Sequence, residues 1–400
     1  MKVIERKNIL PFVLVTSLFA LWGLANNMTD TLLAAFKRIM DMSDTQTSFI
    51  QMAFYGAYFC IALPAALFIR KYSYKSGVIL GLVLYALGAI LFLPAAGVAS
   101  YAFYLIAIYI MAAGCSVLET TANPYIMSMG SADTATRRLN IAQSFNPMGS
   151  ILGIIVSKYF ILKDISLYSV SGTYAVVGGV LLVIMVVMLF ARMPEGKDVS
   201  NDTSLKATFS RLLKNKHYMG GVIAQFFYVG AQIGVWSFTI RLVMKELGYI
   251  EAQAATLYLI SIIGFCASRF IYTWLMKYIA PQRLLLIGAI LSTACSLIVV
   301  FSAGWIAVIA LVLVSVFMSL MFPTIYGIAL GSVTQSEHAD DTKIGASGLI
   351  MAILGGALIT PVQGMVSDAA GINISYIVPM VCFVVVMIYA ISSSPTAVNQ

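Results

Sequence analysis

A carboxylic acid lies in the middle of a long apolar stretch, within residues 115–124. Asn123 follows Glu119 by one helical turn, so the acid and the amide share a helix face. Pro124 disfavours helical geometry just before it and frees backbone carbonyls. If this stretch crosses a membrane, an ionisable group inside it costs at least about 2.5 kcal/mol, and Glu119 predicts a functional site. The alternative is a structural acid that is permanently neutral and hydrogen-bonded between helices.

A second acid, Asp30, follows Asn26 and Asn27 near the end of the first apolar stretch. Spacings of three and four place these side chains on one stripe of a helix. The alternative is an aspartate that faces water at the membrane surface, although a helix facing lipid would not also carry two asparagines. Because desolvation favours the neutral form of a carboxyl group, Asp30 and Glu119 can gain and lose a proton as their surroundings change. We predict that both take part in proton coupling.

Amide and aromatic side chains recur on two further stretches. One series is spaced by three and precedes Pro147: Asn140, Gln143 and Asn146. The other occupies one face of a predicted helix: Gln225, Tyr228 or Val229, Gln232 and Trp236. Paired donors and acceptors beside aromatic planes are what a sugar requires. The alternative for each amide taken singly is pairing between helices. The predicted substrate contacts are Asn27, Glu119, Asn123, Gln143, Asn146, Gln225, Tyr228, Gln232 and Trp236.

One basic residue, Arg269, also lies well inside an apolar stretch. It is a candidate charge partner for Asp30 or Glu119. It could equally contact the substrate or extend its guanidinium towards the membrane surface. The sequence leaves these three interpretations open.

The elements that carry these residues follow from composition. Of 400 residues, 60% are hydrophobic and 10% are charged, with a mean hydropathy of +0.94. Soluble domains carry about 25% charged residues, so a soluble protein is excluded. Barrel strands would alternate over about 10 residues, which these long apolar stretches do not. We therefore predict an all-α membrane protein with twelve transmembrane helices, at 9–36, 46–69, 76–97, 101–130, 138–160, 171–192, 218–243, 252–275, 283–303, 305–331, 343–367 and 372–394.

A polar segment divides these stretches six and six. It predicts an N-terminal six-helix bundle over 1–192, a cytoplasmic linker over 193–217 with a short helix on the membrane surface, and a C-terminal six-helix bundle over 218–400. Short features recur in the same order in both halves, such as Pro124 in the fourth stretch and Pro323 in the tenth. The recurrence predicts two bundles related by pseudo-two-fold symmetry, an arrangement that supports alternating access.

The charged connections set the orientation. Seventeen basic residues fall on the N-terminus and the even-numbered connections, and six on the odd-numbered ones. This asymmetry predicts that both termini are cytoplasmic, in the inner membrane of the cell. It also explains the net charge of +8 without a nucleic acid partner. All five cysteines lie in apolar stretches and are predicted to be buried thiols, while both histidines lie in polar connections, so we expect no metal site.

Five segments together carry a resemblance that covers nearly the whole chain. They are residues 21–30, 118–125, 140–146, 224–232 and 360–371. In these segments the sequence resembles the L-fucose:proton symporters of the fucose, galactose and glucose permease branch of the major facilitator superfamily. The resemblance implies that Asp30 and Glu119 match the two membrane carboxylates that the family uses in proton coupling and sugar binding. The resemblance also implies that Asn27, Gln143 and Asn146 match polar residues of the family's N-terminal cavity wall.

These observations predict a proton-coupled importer of a neutral monosaccharide, with L-fucose as the leading sugar. The first alternative is a sodium-coupled or uncoupled carrier of galactose, glucose or N-acetylhexosamine. A second is a membrane sugar sensor that does not transport. The sequence shows no nucleophile, metal or phosphate-binding motif, so we expect no enzyme and no cofactor besides the coupling proton. The expected partners are the sugar and the lipid bilayer, and we expect the chain to function as a monomer.

Overall fold

The structure is a computed structural model of the chain. It describes residues 3–5, 8–39, 44–161, 166–193, 204–336 and 341–393. Within these ranges, the side chains at positions 26, 29–38, 44–49, 51, 158 and 251–252 lie outside the described set.

The described residues form eighteen α-helices joined by short connections. In chain order they are α1 (Ile9–Ile39), α2 (Asp44–Lys71), α3 (Tyr74–Ile90), α4 (Phe92–Val98), α5 (Tyr101–Ser128), α6 (Ala135–Gln143), α7 (Asn146–Val156), α8 (Leu167–Phe190), α9 (Leu205–Lys214), α10 (Lys216–Leu247), α11 (Glu251–Leu275), α12 (Pro281–Phe301), α13 (Gly304–Met318), α14 (Met321–Thr334), α15 (Thr342–Met351), α16 (Gly355–Ala370), α17 (Ile372–Ser375) and α18 (Ile377–Ser392). Short 3-10 helices at Ala132–Thr134 and Ala352–Leu354 and a π-helix at Ser157–Ile161 complete the described helices.

Twelve helical segments correspond to the twelve predicted membrane spans. Among the described residues, eleven segments are long and apolar enough to cross a membrane, and the apolar helix Ile9–Ala25 within α1 supplies the twelfth. The helices that contain these segments match the predicted stretches to within about six residues at their ends. The prediction of an all-α membrane protein with twelve transmembrane helices is confirmed.

Two of the spans are interrupted near a proline. Between α6 and α7 the helix breaks at residues 144–145, and between α13 and α14 it breaks at residues 319–320. Pro147 and Pro323 follow these breaks and lack the backbone N–H that a helix uses to bond the carbonyl four residues earlier. The carbonyls of Gln143 and Ser319 are therefore left without their helical donor.

The chain contains two compact units. The first comprises Met1–Ser131, Phe145–Asn201 and Thr342–Met351. In it α5 packs against α2 and α3, α8 packs against α3, and α1 packs along α7. Gly149 on α7 faces the backbone of Ala20, and Gly23 on α1 faces the backbone of Asn146, at distances that leave no room for a Cβ atom. The two glycines therefore let the backbones of α1 and α7 touch.

The second unit comprises Ala132–Ser144, Asp202–Asp341 and Ala352–Gln400. In it α12 packs against α13 and α18, and α10 packs against α14, α16 and α18. Gly355 at the start of α16 faces the backbone of Phe226 on α10, again without room for a Cβ atom. In one unit α1 and α7, and in the other α10 and α16, thus pack through glycine. The division of the chain into bundles at 1–192 and 218–400 stays a prediction.

The cysteines require one correction. All five are free thiols, and four of them are buried as predicted. Cys60 on α2 is exposed, so the prediction that it is buried is wrong. A position within an apolar stretch indicates depth in the membrane, but it does not indicate which side of the helix faces the protein.

Candidate functional site

Glu119 lies in the interior of the first unit. It sits on α5, and only 6% of the residue is exposed. Its Oε2 atom has no hydrogen-bond partner, and no lysine or arginine forms an ion pair with it, among the described residues. Ser116, three residues earlier, donates to the carbonyl of Tyr58 at 3.3 Å and holds α2 against this turn. The unbonded oxygen disfavours the alternative of a carboxyl group tied between helices.

Asn123 is fully buried one turn beyond Glu119, on the same face of α5. The helix continues through Pro124 to Ser128, so the predicted departure from helical geometry is wrong. Packing of α2 and α3 along α5 maintains the helix despite the missing N–H. Pro124 still leaves the carbonyl of Thr120 without its helical donor.

The polar stripe of the first span is described only in part. Asn27 is half-buried on α1, and its Nδ2 atom donates to the carbonyl of Gly23 at 3.4 Å. The side chains of Asn26 and Asp30 lie outside the described residues. The proton-coupling role of Asp30 therefore stays a prediction.

The three amides of the fifth span lie on both sides of a two-residue turn at residues 144–145, which separates Gln143 from Asn146. Asn140 on α6 donates to Thr136 O at 2.9 Å and pairs with the Thr324 hydroxyl of α14 at 3.3 Å. Asn146 begins α7 and donates to Phe19 O at 3.3 Å. For Asn140 and Asn146, the alternative of pairing between helices describes the contacts that the structure shows.

The four predicted contacts on α10 differ from one another. Gln225 is fully buried, and neither of its amide atoms has a partner among the described residues. The Tyr228 hydroxyl is occupied, because it donates to Met318 O at 3.1 Å. Gln232 is partly exposed, and Trp236 donates from Nε1 to the Ser315 hydroxyl at 3.3 Å. Gln225 is thus the fully buried member of this series whose amide atoms lack described partners.

Arg269 is buried, with 3% of the residue exposed. Its Nε atom donates to Ser319 O at 2.6 Å, and its NH1 atom donates to Gln143 O at 3.0 Å. The guanidinium lies 4.6 Å from the ring centre of Phe265, which makes a T-shaped contact with Trp236. No carboxylate pairs with Arg269 among the described side chains. Its partners are backbone carbonyls, which none of the three interpretations of Arg269 included.

Sequence reasoning missed one buried amide without described partners, Gln363. It lies on α16, is fully buried, and has no partner for either amide atom among the described residues. Its side chain packs against Gly234 of α10. The available signal was an amide within an apolar span, the same signal that identified Gln225.

Twelve membrane-spanning helices that bury unused carboxyl and amide groups define a polytopic membrane transporter. The family model of the Major Facilitator Superfamily matches residues 13–341. The chain belongs to the major facilitator superfamily. Among the described residues there is also no group of three side chains suited to hold a metal ion.

Known proteins resemble the chain along nearly its whole length. It is 42% identical to the L-fucose-proton symporter of Haemophilus influenzae, over 97% of this chain and 97% of that protein. It is 38% identical to the L-fucose-proton symporter of Escherichia coli, over 99% and 95%. Its fold matches a crystal structure of the major facilitator superfamily transporter FucP in the outward conformation, with a TM-score of 0.89, 37% identity, and coverage of 97% of this chain and 100% of that chain.

Proposed function

We propose that this protein is a symporter that couples proton entry to the import of a neutral monosaccharide by alternating access, with L-fucose as its sugar. The likeness to two L-fucose-proton symporters along almost the full chain supports the choice of sugar and of coupling ion. The observation that carries the proposal is Glu119, a buried carboxyl group whose Oε2 atom is unbonded among the described residues.

Glu119 is the proposed proton carrier, together with Asp30. A buried carboxyl group without a counter-ion is more stable when protonated, and hydration or a new partner favours its ionised form. Cycling between these environments moves one proton in each turnover. A proton that enters the cell yields about 2.3 kcal/mol per 100 mV, enough for roughly 50-fold accumulation of a neutral solute. No further cofactor is required for this coupling.

The proposed sugar contacts are residues of the first, fourth, fifth and seventh spans: Asn27, Glu119, Asn123, Gln143, Asn146, Gln225, Tyr228, Gln232 and Trp236. Gln225 offers a free donor and acceptor, and Trp236 offers an aromatic face for the C–H side of a sugar ring. Tyr228 contributes its ring, since its hydroxyl is occupied by Met318 O. Arg269 supports the site by its hydrogen bonds to the backbone carbonyls of Ser319 and Gln143. It remains a candidate charge partner for Asp30 or Glu119 in other states of the transport cycle.

We also propose the orientation and assembly of the transporter. The excess of basic residues on the even-numbered connections supports cytoplasmic termini in the inner membrane. We propose that the chain functions as a monomer in the bilayer.

The test is uptake of labelled L-fucose into proteoliposomes that contain the purified protein. An inward proton gradient should drive accumulation, and a sodium gradient at equal pH should not. A panel with galactose, glucose and N-acetylglucosamine measures the preference for L-fucose.

Other outcomes would identify the alternatives. Accumulation that ignores the proton gradient and follows sodium would refute proton coupling. Preference for another sugar of the panel would refute L-fucose as cargo. Binding of L-fucose without any transport would favour a sensor.

A further inference from the structure

The short helix α9 (Leu205–Lys214) directly precedes α10, the seventh membrane span. It ends at Lys214, and α10 begins at Lys216. The residue between them, Asn215, caps α10 by accepting the backbone N–H of Tyr218 at 3.0 Å. The last turn of α9 is therefore adjacent to the point at which a membrane span starts.

One side of α9 is fixed to the second unit. Arg211 donates to both carboxylate oxygens of Asp341, at 2.7 and 2.8 Å, and Thr208 donates to the same carboxylate at 2.8 Å. Leu212 is buried beside them, with 5% of the residue exposed. Three residues on one side of the helix thus fix its rotation, and with it the direction in which every other side chain points.

The adjacent side of α9 is apolar and uncovered. Leu205, Phe209 and Leu213 are 43%, 39% and 66% exposed. Spaced by four residues, they form one stripe along the helix.

Basic side chains accompany this stripe. Lys206, Lys214 and Lys216 are exposed, and none forms an ion pair with a described residue. A helix with an apolar stripe and unpaired lysines is typical of one that lies in the headgroup layer of an anionic membrane. A second copy of this chain would bring the same positive charges to the surface and is disfavoured.

We propose that α9 binds anionic phospholipid headgroups at the membrane face where α10 begins. Leu205, Phe209 and Leu213 enter the boundary of the acyl layer. The lysines extend along that boundary to the phosphates. Arg211 stays with Asp341 and holds the helix in this orientation.

The test measures access to the stripe in the full-length protein, at one copy per nanodisc. Leu213→Cys is labelled with a neutral, water-soluble maleimide in phosphatidylcholine alone or with phosphatidylglycerol added. The wild type supplies the background, since four native thiols are buried and Cys60 lies in a span. Labelling should be at least about fivefold slower with the anionic lipid, the factor expected for one basic residue near such a surface. Leu205→Cys provides a second reporter should Leu213→Cys fail to fold.

Three controls make the result specific. Ala207→Cys lies on the side of α9 opposite Leu205, Phe209 and Leu213, two turns from Lys214, and should be protected less than Leu213→Cys. Lys206→Gln with Lys214→Gln should remove most of the protection of Leu213→Cys. Lys71→Gln with Lys277→Gln removes two exposed lysines elsewhere and should leave the protection intact.

The proposal is wrong if Leu213→Cys labels equally fast in both lipids, or if Ala207→Cys is protected equally. Protection that appears only with two copies in one disc would assign the stripe to a second chain instead.

Discussion

Arg269 donates a hydrogen bond at 3.0 Å to the carbonyl of Gln143, a group that Pro147 leaves without its helical donor. The same guanidinium bonds Ser319 O at 2.6 Å, the carbonyl that Pro323 leaves without a donor in the same way. The carbonyl end of a helix carries partial negative charge. The ends of α6 and α13 therefore compensate a buried cation that has no carboxylate partner among the described side chains.

Replacing Arg269 should reduce stability in a graded way. Arg269→Gln should lower the free energy of unfolding by about 3 kcal/mol, because two hydrogen bonds to a charged group are lost. Arg269→Lys should lower it by roughly 1–2 kcal/mol, because one ammonium group lacks the fork that reaches both carbonyls. Unfolding in detergent, followed by circular dichroism, measures both values. A lysine variant as stable as the wild type would show that the two carbonyls are not bridged.

The role of the prolines is testable by a double-mutant cycle. Pro147→Ala restores an N–H that can bond the carbonyl of Gln143. In that background Arg269→Gln should destabilise by about 1 kcal/mol less than in the wild type. Pro361→Ala, in α16, is the matched control and should be additive with Arg269→Gln to within about 0.5 kcal/mol. Additivity of Pro147→Ala as well would refute the link between proline and arginine.

Glu119→Gln should separate coupling from sugar binding. Glutamine keeps the shape and hydrogen bonding of the side chain but carries no titratable proton. The accumulation of L-fucose driven by a proton gradient should fall to about the equilibrium ratio of one, while exchange of labelled for unlabelled sugar persists. Asp368→Asn, an exposed acid at the end of a span, is the control and should accumulate normally. Normal accumulation by Glu119→Gln would show that this acid is structural.

Removing the polar group of Gln225 should raise the free energy of unfolding, whereas removing that of Tyr228 should lower it. Gln225→Met removes a buried amide without described partners and should raise the free energy of unfolding by about 1 kcal/mol. The same change should raise KM about fivefold, by the loss of one hydrogen bond to the sugar.

Tyr228→Phe should instead lower stability by about 1 kcal/mol, since Met318 O loses its donor, and leave KM unchanged. Thermal unfolding and uptake kinetics measure both effects. An unchanged KM for Gln225→Met would remove Gln225 from the proposed sugar contacts.

The sequence alone was sufficient for the twelve spans and for the position of Glu119 inside one of them. Crossing about 30 Å of hydrocarbon requires about 20 apolar residues, which is a property of a continuous segment. A carboxyl group in the middle of such a segment is also recognisable from the sequence, because the residues around it are apolar. The helix face shared by Glu119 and Asn123 also follows from local spacing.

Only the tertiary structure decided which polar groups are already in use. Asn140 and Gln225 are both amides within spans, yet Asn140 meets Thr324 and Gln225 meets no described partner. The partners of Arg269 come from positions 143 and 319, far from it along the chain. Hydropathy records how deep a residue lies, but a hydrogen bond depends on atoms that distant segments bring within about 3 Å. That difference explains why the spans were predictable and the pairing inside them was not.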